Sequence, residues 1–217
     1  MSPAKSSAWI DVSPLISVET PVWPGDQPLR VRWLARLAAG DPLNLSAITL
    51  SPHLGAHVDA PRHFRAGGAD VVGLGLTPFL GPARLVDVST ARDEDGAIPR
   101  SALGDFAGER RLLLRTRRTA AESARPLSAE ATAELARSDL LLLGIDGLSL
   151  DWPEDAELEN HRRLADAGVA VLVGLELGAA PIGKIELVAL PLPIAGLEAS
   201  PVRAVVRPWP EEPVSRP

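Results

Sequence analysis

Residues 139–178 read DLLLLGIDGLSLDWPEDAELENHRRLADAGVAVLVGLELG. Leu140 to Ile145 is a short continuous apolar run, the signature of a strand buried on both faces. Asp155 to Ala167 fits helical spacing, with Leu158 and Leu164 near one face and Gly168 as the stop. Val169 to Leu175 is a second apolar run of the first kind. The unit is strand, helix, strand, and it places the chain among α/β proteins.

The same reading extends outward in both directions. Strand-like runs occur at 9–12, 29–37, 45–50, 84–88, 111–115, 186–190 and 202–206, and in 29–37 Arg30, Arg32 and Arg36 alternate with apolar residues. Helices are fewer. Ser128 to Arg137 opens with serine at the N-cap, and Arg100 to Phe106 is a shorter candidate. These elements predict a strand-rich single domain with few helices over residues 9–207. Residues 1–8 are expected to be a flexible N-terminus and 208–217 a Pro-rich tail.

Composition narrows the chemistry. Among 217 residues, 22 Lys+Arg stand against 28 Asp+Glu, a net charge of −6, which argues against a nucleic-acid partner. No apolar run reaches the ~18 residues of a membrane-spanning helix, and the first residues lack a signal-peptide core, so a cytoplasmic protein with no membrane partner is expected. Cysteine and tyrosine are absent, which removes thiolate ligands, disulfides and phenol chemistry. The arginines at 110, 111, 115, 117 and 118 read as a solvated strand edge, because arginine is the chain's default cation: only Lys5 and Lys184 are lysines. Gly-rich 65–75 lacks the Gly/Lys spacing of a phosphate-binding loop.

Four histidines remain, and three of them fall in residues 51–64, SPHLGAHVDAPRHF. His53, His57, Asp59 and His63 form the pattern H-x3-H-x-D-x3-H. Pro52, Gly55 and Pro61 disfavour a regular helix. In an extended chain His53, His57 and Asp59 share a face. A flat strand would hold the two histidine Cα atoms ~13 Å apart, near the limit for sharing an ion with ~2.1 Å bonds, and Gly55 can supply the kink that closes the gap. Imidazole with carboxylate and no sulfur suits Zn²⁺, Mn²⁺ or Fe²⁺. The competing reading is a set of surface or hydrogen-bonded core histidines. His161, mid-helix in Glu159-Asn160-His161-Arg162-Arg163, reads locally as solvent-exposed, with Asp146 and Asp151 as its partners or as turn residues.

Together these pieces resemble the cyclase family of metal-dependent hydrolases, nearest its bacterial kynurenine formamidase (arylformamidase) branch. Leu50 to Pro61 is similar to the family's metal motif, and Thr20 to Asp26 to its tryptophan-containing loop. Leu143 to Asp146, Ser149 to Asp151, Asn160 to Arg163, Leu190 to Leu192 and Ser200 to Ala204 follow in the family's order. The resemblance implies a swivelling β/β/α fold and a homodimer or larger homo-oligomer. It implies metal ligation by His53, His57, Asp59 and His161, a general acid/base at His63, and substrate contact at Trp23. For the ion itself zinc is expected, with manganese as the alternative.

One position departs from the pattern. The family's glutamate ligand, twelve residues after the fourth histidine, is Val173 here. Glu176 and Glu186 are the nearby carboxylates, and one ion rather than two is expected. The implied reaction is hydrolysis of N-formyl-kynurenine, a step of tryptophan catabolism, to kynurenine and formate by metal-activated water, with His63 protonating the leaving nitrogen. Two alternatives stay open: a related hydrolase of another amide, lactam or lactone, and a weakly active metal-binding paralogue.

Overall fold

In a computed structural model, residues 8–119, 122 and 125–210 are described. The expected N-terminus and Pro-rich tail therefore fall mostly outside the described residues. Eleven strands and three α-helices appear among those described. They are β1 (Ile10–Asp11), β2 (Arg30–Ala35), β3 (Leu45–Thr49), β4 (His57–Asp59), α1 (Pro61–Phe64), β5 (Leu80–Asp87) and β6 (Arg111–Arg115). Then follow α2 (Ala129–Arg137), β7 (Leu142–Ile145), α3 (Glu159–Asp166), β8 (Ala170–Val173), β9 (Gly183–Val188), β10 (Ala199–Pro201) and β11 (Val205–Pro208).

Nine strands form one sheet in the order β1-β11-β9-β5-β6-β7-β8-β4-β10, and β2 pairs with β3 in a separate ribbon. The central strands β5 to β8 are parallel, while β9 and β4 join them antiparallel. The short apolar runs are buried on both faces. Leu112, Leu114, Leu143, Ile145, Val171 and Val173 pack with Ala131 and Leu135 of α2 and Leu164 of α3. Their strand neighbours Leu113, Leu142 and Leu172 point the other way, into a core with Leu85, Ile185 and Leu187. Alternation along each strand thus feeds two cores, which explains the absence of polar residues.

Several expectations are corrected. The helix expected from Asp155 begins only at Glu159, because Asp155 Oδ1 accepts the N–H groups of Glu157 and Leu158 at 2.9 and 3.2 Å and folds a turn there. Leu158 then takes φ 52, the one positive φ among described non-glycine residues. Arg100 to Phe106 is reduced to a 3₁₀ turn over Arg100–Leu103. The strand expected at 202–206 is displaced to β11, with β10 before it.

The strand that carries the arginines is no edge, since β6 lies inside the sheet, although Arg110 and Arg118 at its ends are exposed. Arg111 is buried, donating from Nε to Pro78 O at 2.8 Å and from its terminal nitrogens to Pro82 O and Thr77 O. Arg115 likewise donates to Leu177 O and Ala180 O, at 2.8 and 2.6 Å from Nη2. Long apolar stems and multiple donors let arginine close loop carbonyls over a sheet end.

Candidate metal centre

Strand β4 is three residues long, lies between β8 and β10, and is wholly buried. Its period of two sends His57 and Asp59 to the helix-bearing face, opposite Val173 and Val171, while Val58 enters the other core. Before it the chain turns at Gly55, φ 73. This kink brings the His53 and His57 rings to 5.0 Å between centroids, edge to face.

The three side chains converge on one point. His53 Nδ1 stands 3.1 Å from Asp59 Oδ1, and His57 Nε2 stands 3.7 Å from the same oxygen. All three ligand atoms lie within 4.8 Å of one another. Asp59 Oδ1 is nevertheless buried with no hydrogen-bond partner, so the nearby nitrogens are close without being aligned as donors. Ligands on a tetrahedral ion with ~2.1 Å bonds sit about 3.4 Å apart. The observed 3.1 and 3.7 Å bracket that edge. An orphaned carboxylate oxygen between two imidazole nitrogens fits a divalent cation.

His57 and His161 each have one ring nitrogen held by an acceptor. His57 Nδ1 lies 2.9 Å from Gly55 O. A carbonyl only accepts, so Nδ1 carries the proton and Nε2 offers its lone pair toward Asp59. His161, expected to be exposed, is buried, with Nδ1 2.6 Å from Asp151 Oδ2. Asp151 also accepts the N–H groups of Asn160 at 2.8 Å and His161 at 3.3 Å. One carboxylate therefore closes the first turn of α3 and orients the imidazole on it.

Helix α1 begins with Pro61 at its first turn, where the missing N–H costs nothing. The turn swings His63 back beside His53, with ring centroids 4.4 Å apart. Phe64 lies between His63 and His161, edge to face with the first at 4.6 Å and tilted against the second at 5.2 Å. Among the described residues the tight ligand group is His53, His57 and Asp59; His161 is outside it but near enough to Asp59 to act on it electrostatically. The Trp23 loop runs alongside: Ser51 N donates to Gln27 O at 2.8 Å, and Asp26 is near enough to His53 to act on it electrostatically. The Trp23 ring itself is half exposed.

The cluster shifts its own ionisation. Burial would raise the Asp59 carboxyl, but His53 beside it and the electrostatic influence of the neighbouring imidazoles outweigh burial and hold it at about 2. Burial lowers His57 and His63 below the usual imidazole value. For His53 burial pulls down, but Asp59, Glu198 and Asp26 together leave it raised.

Nothing nominated from the sequence fills the place of the missing glutamate. Val173 is buried directly across from His57. Glu176 is exposed past the strand end, and Glu186 is paired with Arg207 at 2.6 Å on the far side of the sheet. The carboxylate that does approach is Glu198, whose Oε1 lies 3.5 Å from His53 Nε2. Its only sequence signal was its place just before the Ser200–Ala204 segment, too weak to single it out.

Comparison with known proteins agrees with this geometry. The family model described as "Putative cyclase" matches residues 10–152, a span that contains Trp23, His53, His57, Asp59 and His63. A solved structure titled a potential metal-dependent hydrolase with cyclase activity is 25% identical, with TM-score 0.79, covering 94% of this chain and 99% of that one. A predicted metal-dependent hydrolase from Bacillus stearothermophilus is also 25% identical, with TM-score 0.73, covering 92% and 97%. Isatin hydrolase A from Labrenzia aggregata shares the fold at 21% identity, with TM-score 0.79 and 93% of each chain covered.

Proposed function

The chain belongs to the Cyclase family, and from that premise we propose that it is a metal-dependent amide hydrolase whose substrate is N-formyl-kynurenine. The observation that carries the reading is Asp59 Oδ1, buried and without a hydrogen bond between the nitrogens of His53 and His57. These three residues would hold one divalent ion, zinc or alternatively manganese, with His161 at the edge of the site. A bound ion of this kind supplies an activated water and polarises an amide carbonyl. One ion rather than two follows from the apolar side chain at Val173.

The protein's own groups supply the remaining chemistry. Burial lowers His63 below the usual imidazole value, so at neutral pH it can accept a proton from water. Water oxygen adds to the formyl carbon, and the C–N bond then breaks. The proton held on His63 passes to the departing arylamine nitrogen, giving kynurenine and formate. Trp23, half exposed beside the site, offers a face for the aryl ring. We also propose a cytoplasmic homodimer or larger homo-oligomer, in line with the family resemblance. Among the described residues no helix is long and apolar enough to cross a membrane.

A second reading has its own support. Isatin hydrolases share this fold, and Val173 marks a change at the site where such a shift of substrate, to a lactam, another amide or a lactone, would register. The test is turnover of N-formyl-kynurenine and of isatin by zinc- and manganese-loaded protein. Faster hydrolysis of the formamide is expected. Equal or faster hydrolysis of isatin replaces the first reading with the second, and turnover of neither leaves a weakly active metal-binding paralogue.

A further inference from the structure

Glu198 approaches His53 from the side of the ring away from Asp59. His53 Nδ1 faces Asp59 Oδ1 at 3.1 Å, and Nε2 faces Glu198 Oε1 at 3.5 Å. An ionised carboxylate only accepts, so when Nδ1 gives its lone pair to an ion beside Asp59, the ring's remaining proton sits on Nε2 and faces Glu198. The opposite tautomer would aim an Nδ1–H at Asp59 Oδ1, satisfy that oxygen internally and close the site to a cation. We propose that Glu198 is a positioning residue that holds His53 in its metal-accepting tautomer. This assignment rests on reading His53, His57 and Asp59 as a metal centre, not on the choice of substrate.

The backbone around Glu198 is built for the task. Ala60 N donates to Glu198 O at 2.8 Å, and Ala199 pairs with Asp59 in the β10–β4 ladder. Val71 N donates to Leu197 O at 3.0 Å, and Gly196 N to Asp70 Oδ2 at 2.7 Å. The backbone that carries Glu198 is thereby tied to the residues at and just after the end of the strand that carries His57 and Asp59. Glu198 does not belong to the group of converging ligand atoms. Gly55 O and Asp151 hold His57 and His161 by hydrogen bonds, and Glu198 Oε1 stands at the corresponding outer nitrogen of His53, 3.5 Å away. Such outer carboxylates orient ligating imidazoles and raise their basicity.

The experiment measures zinc and manganese affinity by chelator competition for the wild type, Glu198→Ala and Glu198→Gln, with no substrate present. Glu198→Ala is expected to weaken binding by ~10–100-fold, whereas Glu198→Gln, whose amide oxygen still accepts from Nε2–H, should stay within about 5-fold of wild type. Wild-type affinity in Glu198→Ala overturns the assignment. So does an equal loss in both variants, which would make Glu198 a direct ligand. A wild type that binds neither ion removes the metal centre and this assignment together. A wild type that binds an ion but hydrolyses neither amide fails only the substrate reading.

Discussion

The ribbon β2–β3 and the strand β4 lie on the same stretch of chain, and they are treated in opposite ways. In the ribbon no residue is buried, although it carries Val31, Trp33, Leu34, Leu45 and Ile48. In β4 all three residues are buried, two of them polar. The ribbon has only itself to pair with, whereas β4 has β8 on one side and β10 on the other. A strand held on both sides cannot slip by one residue without sending His57 and Asp59 into an apolar core. The site is thus placed where register is most strongly specified. An isolated two-stranded ribbon is marginal in water, and exposed apolar faces of this kind belong to interaction surfaces. The ribbon is where a second subunit of the proposed homodimer has most to gain.

Charges placed in the two regions should break this comparison most sharply. Val58→Asp puts an unpaired carboxylate into the core, and a loss of roughly 3–5 kcal/mol is expected, enough to remove soluble folded protein. Circular dichroism of whatever is recovered checks it, and a native spectrum with an unchanged melting point would mean β4 is not clamped. Asp59→Asn should leave the fold in place and abolish divalent-ion binding, read by metal analysis after gel filtration. An ion retained at full occupancy would remove Asp59 from the ligand set.

A middling effect is expected at Asp151. Burial alone would raise its carboxyl, but the His161 ring and the backbone N–H of Asn160 leave it lowered. A lowered carboxyl contributes stability that is present above its unfolded value, about pH 4, and lost as pH falls through the folded value. Asp151→Asn should therefore cost ~1–3 kcal/mol in urea melts of metal-free protein at pH 7. The gap from wild type should narrow at pH 3. A gap that is constant with pH would mean that the charge is not what matters. The smallest effect on folding belongs to the ribbon: Ile48→Asp should alter monomer stability by less than about 0.5 kcal/mol while shifting sedimentation from dimer toward monomer. Unchanged sedimentation would remove the ribbon from the interface.

What the sequence revealed follows the reach of each interaction. β6 was legible to the residue because an apolar run between polar flanks needs no distant information. Ser128 announced α2 through a cap three residues long, and its Oγ does accept from Ala131 N at 3.2 Å. The histidine pattern, with its kink at Gly55, was legible because its members are close in the chain. α1 was not, because Pro61 reads as a breaker unless its place at the first turn is known. The burial of Arg111 depends on carbonyls at Thr77, Pro78 and Pro82, which no local pattern exposes. Glu198 reaches His53 only through the pairing of β10 with β4.

The end of β8 carries a consequence for descent. Gly174 has φ 72, and a Cβ there would lie 2.5 Å from Gly55 O, the oxygen that fixes His57. Position 174 is therefore shut to every other residue by the neighbour's metal-facing geometry, while 173 admits any side chain that the core accepts. A lineage carrying this chain has a single address at which a carboxylate can enter the strand beside His57. A carboxylate at 173 would face His57 across the β4–β8 ladder.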